Sequence, residues 1–88
     1  MNAKRLLAES IASIPKDLER KLEISYSISD KLYDEMQKQG ITQRELAKRM
    51  NKRPSEISKW LRGTHNFTIN TLVDISYAIG VDLIKVCK

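Results

Sequence analysis

The stretch Thr42-Gln43-Arg44-Glu45-Leu46-Ala47-Lys48-Arg49-Met50-Asn51-Lys52-Arg53-Pro54-Ser55-Glu56-Ile57-Ser58-Lys59-Trp60-Leu61-Arg62-Gly63 decides the fold. It opens on a capping box, in which Thr42 accepts from the Glu45 N–H and Glu45 reaches back to Thr42. Leu46, Ala47 and Met50 then supply the inward face of a short helix ending at Met50. Asn51 follows. After glycine it is the residue that most readily takes positive φ, so a tight turn is expected there. Pro54 starts another helix at its first position, where its missing N–H costs nothing. Ile57, Trp60 and Leu61 stand at i, i+3 and i+4 and face a core, whereas Ser55, Lys59 and Arg62 fall on the opposite side. Gly63 is expected to end this helix.

The charge falls on the same stretch. The net +5 comes from 16 basic and 11 acidic residues. Residues 41–65 hold Arg44, Lys48, Arg49, Lys52, Arg53, Lys59 and Arg62 against only Glu45 and Glu56, while the remaining basic and acidic residues balance. A localised basic patch is the footprint of a polyanion partner, although charge alone fits a solvated helix surface equally well. Geometry separates the two readings. Two short helices joined by a tight turn, apolar inside and basic-polar outside, form a helix-turn-helix at about residues 42–62. The second helix is of a size that a DNA major groove admits.

Working outward, residues 3–13 read as a short helix with Leu6, Leu7 and Ile11 on one side, and residues 1–14 as an N-terminal helical arm. Pro15 interrupts it and begins a long helix to about Gln39, with Asp17 and Glu19 in its first turn. Leu18 and Leu22 pair at i, i+4, and Ile28, Leu32 and Met36 form a stripe. The alternation Ile24-Ser25-Tyr26-Ser27-Ile28-Ser29 leaves a break open, with Ser29 as the cap of a second half. Gly40 ends the helix in the left-handed conformation. On the other side, residues 64–67 read as a loop and Thr68 caps a helix over about Ile69 to Ile79. Its apolar positions are Leu72, Ile75, Ile79 and Tyr77, and Gly80 is its C-terminal cap. The tail from Val81 to Lys88, β-branched and partly alternating, reads as a short C-terminal strand in need of a partner.

Eighty-eight residues make one domain, with residues 15–88 as its helix-turn-helix body. No apolar run approaches the ~20 residues of a membrane span. Glu9 and Ser10 break the start before a signal-peptide core forms, which points to the cytoplasm. One cysteine, Cys87, excludes an internal disulfide and a cysteine-ligated zinc site. One histidine, His65, and three glycines leave neither imidazole catalysis nor a Gly-rich phosphate loop. No enzyme chemistry, cofactor or metal is expected.

The run from Thr42 to Met50, followed by Ile57-Ser58-Lys59-Trp60-Leu61-Arg62-Gly63, resembles the Cro/C1-type (XRE) helix-turn-helix family. The similarity covers about residues 28–83. It implies an all-α, lambda-repressor-like bundle of about five helices that regulates transcription from double-stranded operator DNA as a homodimer and repressor; the alternatives are a regulator without a toxin partner and a protein-interaction module, since some members have lost DNA affinity. The tail and residues 63–68 also resemble antitoxins of the HigA type, which implies a toxin partner as well as DNA. By that resemblance Gln43 meets a DNA phosphate, and Arg53, Ser55, Glu56 and Lys59 enter the groove. Arg62, Thr64 and Asn66 meet the sugar-phosphate backbone. Pro54 departs from the family's polar residue at that position. Arg53 or Lys59 to guanine is therefore the expected base contact, at ~1–3 kcal/mol per good bidentate pair. Glu56 also suits the dipole of the first helical turn. Trp60 is read as core rather than as a stacking platform.

Overall fold

The computed structural model describes residues 14–87 as four helices: α1 (Lys16–Gln39), α2 (Gln43–Met50), α3 (Pro54–Trp60) and α4 (Ile69–Ile79). The expected helix over residues 3–13 and the arm of residues 1–14 fall, except for Ile14, outside the described residues. No helix in the described residues is long and apolar enough to cross a membrane.

α1 runs without a break through residues 24–29. Two serines there make hydrogen bonds that keep the helix intact instead of capping a new one. Ser27 Oγ donates to the Glu23 carbonyl one turn back at 2.9 Å. Ser29 lies on the same face as Leu32 and Met36 and is buried with them. The period-two pattern therefore reflects polar partners and not extended backbone. Pro15 sits one position earlier than expected, in the N-cap place with ψ 146°, and Asp17 and Glu19 occupy the first turn. Only the second half of α1 enters the core: its buried residues begin at Ile28, and Leu18 is exposed. Leu22 is half-buried, and neither Leu18 nor Leu22 joins the core.

Gly40 ends α1 at φ 66°. The next residue, Ile41, turns into the core, its N–H bonded to the Met36 carbonyl at 2.9 Å. This is the hydrophobic re-entry that accompanies a left-handed helix end. Thr42 caps α2 by accepting from the Glu45 N–H at 3.1 Å. The expected return bond from Glu45 to Thr42 is not made among the described residues, so half of the capping box forms.

α2 packs against both α3 and α4. One core joins Ile28, Leu32, Met36, Ile41, Leu46, Ala47, Ile57, Trp60, Leu72, Ile75, Ile79 and Leu83. Thr68 caps α4 by accepting from the Thr71 N–H at 3.1 Å, and Gly80 closes the helix at φ 73°. Two side chains from other helices satisfy carbonyls in the last turn of α4. Gln39 Nε2 donates to Ile79 O at 2.8 Å, and Arg49 Nη1 to Ala78 O at 3.2 Å.

Three expectations are corrected. Residues 81–87 form no strand. Leu83 is driven into the core and its N–H donates to Ser76 Oγ at 3.0 Å, so a single apolar anchor fixes the tail where a lone strand would lack a ladder. Tyr77 is not on the inner side of α4 but 85% exposed, because Leu72, Ile75 and Ile79 already fill the core-facing stripe. Gly63 does not end α3. The helix stops at Trp60 with Leu61 as a right-handed C-cap, and Gly63 serves a close approach described below.

Candidate nucleic-acid interface

The turn between α2 and α3 takes the expected form. Asn51 adopts the left-handed conformation at φ 55°, ψ 45°, and the Lys52 N–H returns to the Ala47 carbonyl at 2.8 Å. Ala47, 2% exposed, lies in the core one turn before Asn51. Arg53 occupies the N-cap of α3 with extended backbone and Pro54 follows in the first turn. In α3 the core side is filled by Ile57 and Trp60, the latter 4% exposed, and Leu61 is half-buried. Ser55 and Lys59, one turn apart on the far side, are exposed, as is Arg62 beyond the helix end. The sequence-derived ridge therefore stands on the surface, with Arg53 at one end and Arg62 at the other. Glu56 is half-buried on the flank of the ridge, and its N–H closes the first turn onto the Arg53 carbonyl at 2.9 Å.

The charges of this ridge are available to a partner. The four ion pairs among the described residues all lie within α1: Lys16–Glu19, Lys21–Asp17, Arg20–Glu23 and Lys38–Glu35. Arg44, Lys48, Lys52, Arg53, Lys59 and Arg62 join no ion pair among those residues. Arg49 joins none either, but its guanidinium also donates to the Ala78 carbonyl. That bond ties α2 to α4.

Gln43, the first residue of α2, is exposed on an open cleft of about 360 Å³ that Tyr33, Thr42 and Leu61 also line. One cleft thus brings Gln43 beside the C-cap of α3, the neighbour of Arg62. Thr64 and Asn66 project from the loop after α3. Exposure alternates there: Gly63, His65 and Phe67 are buried or half-buried and Thr64, Asn66 and Thr68 are exposed. The inward residues hold the loop. Phe67 packs on the core, and the His65 ring meets it edge-on with centroids 4.8 Å apart. His65 is thereby a loop-packing residue.

Two contacts escaped the sequence reading, and both fix the end of α3 to α1. Ser29 Oγ donates to the Trp60 carbonyl at 2.6 Å within the core. That carbonyl belongs to the last turn of α3, where helical partners run out. One turn earlier on α1, the Tyr26 ring lies under Gly63: a Cβ at Gly63 would stand 2.8 Å from Tyr26 Cε1, and its φ is +93°. Glycine is required here on both counts. The signal for Ser29 was in the sequence, as a hydroxyl three and seven residues before Leu32 and Met36 on one face. The Tyr26–Gly63 contact had none, since it joins residues far apart in the chain.

The family model described as helix-turn-helix matches residues 32–86, more than half of the chain. The chain belongs to the helix-turn-helix family of the Cro/C1 type. That membership makes it a double-stranded-DNA-binding domain of the kind that regulates transcription. The match runs from Leu32, inside α1, to Val86 in the tail, and so takes in α2, α3 and α4 but neither Tyr26 nor Ser29. Comparisons with curated proteins and with solved structures gave no match.

Proposed function

We propose that this helix-turn-helix protein is a sequence-specific transcriptional repressor that binds a two-fold operator as a homodimer, with α3 of each copy in the major groove. One observation carries the reading. The whole charge excess sits in residues 41–65, none of its seven cations joins an ion pair among the described residues, and Ile57 and Trp60 anchor α3 so that Ser55 and Lys59 face outward. Arg53 and Lys59 read guanine O6 and N7, and Ser55 and Glu56 reach the groove beside them. Gln43, Arg62, Thr64 and Asn66 hold the sugar-phosphate backbone and set the register. Two half-sites about 34 Å apart, one helical turn, suit a dimer of such modules.

The narrower form of the proposal, an antitoxin that represses its own operon, adds a toxin partner. It rests on the resemblance of the tail and of residues 63–68, and co-purification with the product of an adjacent small reading frame tests it. The broader proposal is tested by fluorescence anisotropy on the duplex upstream of the chain's own coding sequence and on a scrambled duplex. Lys59→Ala or Arg53→Ala narrows the difference between the two duplexes. Arg62→Ala weakens both alike and lowers the slope of log K against log salt by roughly 0.9. Binding that does not depend on salt would overturn the proposal.

A further inference from the structure

α3 is only seven residues long, so the path of the chain just after it decides where Arg62 stands. In its last turn the Leu61 N–H serves the Ile57 and Ser58 carbonyls at 3.1 and 3.2 Å, and the Arg62 N–H serves that of Lys59 at 3.3 Å. The Trp60 carbonyl is met from outside the helix, by Ser29 Oγ at 2.6 Å. Gly63 then turns the chain at φ +93° and is itself buried, with the Tyr26 ring against the place a Cβ would take. Tyr26 and Ser29 stand at i and i+3 on α1 and so are neighbours on its surface. One helix therefore holds the chain at Trp60 and again at Gly63.

Those two points bracket Leu61 and Arg62. Leu61 is half-buried and Arg62 exposed, so the bracketed pair has one side chain turned in and one turned out. Beyond Gly63, the inward His65 and Phe67 continue the hold and leave Thr64 and Asn66 outside. A cation fixed in place before it meets a phosphate spares part of the ordering cost that binding otherwise imposes. Ser29 is buried and gives its hydroxyl to Trp60, so it acts on DNA only through the chain it holds. Both residues precede Leu32, where the family match begins, so this clamp is carried by the part of α1 that lies before the matched residues.

We propose that Tyr26 and Ser29 are positioning residues for DNA binding, clamping the exit of α3 so that Arg62, Thr64 and Asn66 meet the sugar-phosphate backbone already ordered. This positioning rests on the backbone-holding roles proposed above for those three residues, and its test separates the two. Anisotropy of the full chain on the upstream and scrambled duplexes, over a salt series, is measured at a temperature where circular dichroism shows each variant folded. Tyr26→Ala and Ser29→Ala should each weaken binding to both duplexes about three- to tenfold. Each should also lower the slope of log K against log salt by up to roughly 0.9. Tyr26→Phe keeps the ring atoms that meet Gly63 and should bind within about twofold of wild type. Ile79→Val, a core change in α4, should do the same, and a merely structural role for Tyr26 would give Tyr26→Ala that result too. In an Arg62→Ala background, Tyr26→Ala should weaken binding by a smaller factor than it does alone. The clamp is overturned if either alanine variant binds like Ile79→Val, or if Tyr26→Phe fails as Tyr26→Ala does. It is also overturned if Arg62→Ala weakens binding and its effect simply multiplies that of Tyr26→Ala. If Ser29→Ala does not fold, Tyr26→Ala decides alone. Should Tyr26→Ala weaken binding while Arg62→Ala does not, the clamp stands through Thr64 and Asn66 and the role of Arg62 falls. A chain that binds neither duplex overturns both.

Discussion

Gly63→Ala is expected to destabilise the domain by about 2–3 kcal/mol, from two separable causes. The first is the backbone. At φ +93° an L residue is strained whatever room it has, at about 1–2 kcal/mol. The second is the Tyr26 ring. The new Cβ would stand 2.8 Å from Cε1 and 3.0 Å from Cδ1 and Cζ, too close for ordinary contact. Tyr26 is 36% exposed and has room to shift, so this overpacking falls near the lower end of the usual range, about 1 kcal/mol. For a domain of this size the sum lowers the thermal midpoint by roughly 8–24 °C. Urea unfolding followed by the fluorescence of Trp60, the single tryptophan, measures it. Tyr26→Ala in the Gly63→Ala background removes the clash and leaves the backbone strain. The double-mutant cycle should therefore return a coupling of about 1 kcal/mol. A Gly63→Ala variant within about 0.5 kcal/mol of wild type, or a cycle with no coupling, refutes the contact on which the placement of the α3 end depends.

Other expectations follow from single contacts. Ser29→Ala strands the Trp60 carbonyl in the core and should cost about 1–3 kcal/mol in the same urea assay. Thr68→Ala removes the N-cap of α4 and should cost about 1 kcal/mol, read by thermal unfolding. Arg49→Ala removes the hydrogen bond to the Ala78 carbonyl and should cost about 0.5–1.5 kcal/mol in thermal unfolding, whereas Lys48→Ala should leave stability within about 0.5 kcal/mol.

The parts of the fold that obey local rules were legible in the sequence. Thr68 and Gly80 bracket α4 as read, since a cap and a left-handed glycine are each decided by a few neighbouring residues. The same holds for Asn51 and for Pro54. The inward set of α3 was legible because three apolar side chains at i, i+3 and i+4 leave one way to turn the helix. The tail was misread because β-branched residues favour strand only where a partner ladder exists. Here Leu83 finds the core and Ser76 takes its N–H. Tyr77 was misassigned because the spacing of apolar residues admits more positions than one core can hold. For the interface, spacing placed Ser55, Lys59 and Arg62 outward. It did not reveal that Arg49 is tied to α4, nor that Ser29 and Tyr26 fix the end of α3. The partners in those contacts are set by the way the helices cross; the local pattern placed Ser29 on the buried face but did not give its partner.

The central claim is that α3 presents Arg53, Ser55 and Lys59 to the major groove. Dimethyl sulfate footprinting on the duplex upstream of the coding sequence tests it most directly, because guanine N7 lies in the major groove and adenine N3 in the minor. The account predicts protection at guanine N7 in two clusters about one helical turn apart, with protection at particular guanines lost in Lys59→Ala or Arg53→Ala. Protection confined to adenine N3, or guanine protection that both variants retain, would contradict it.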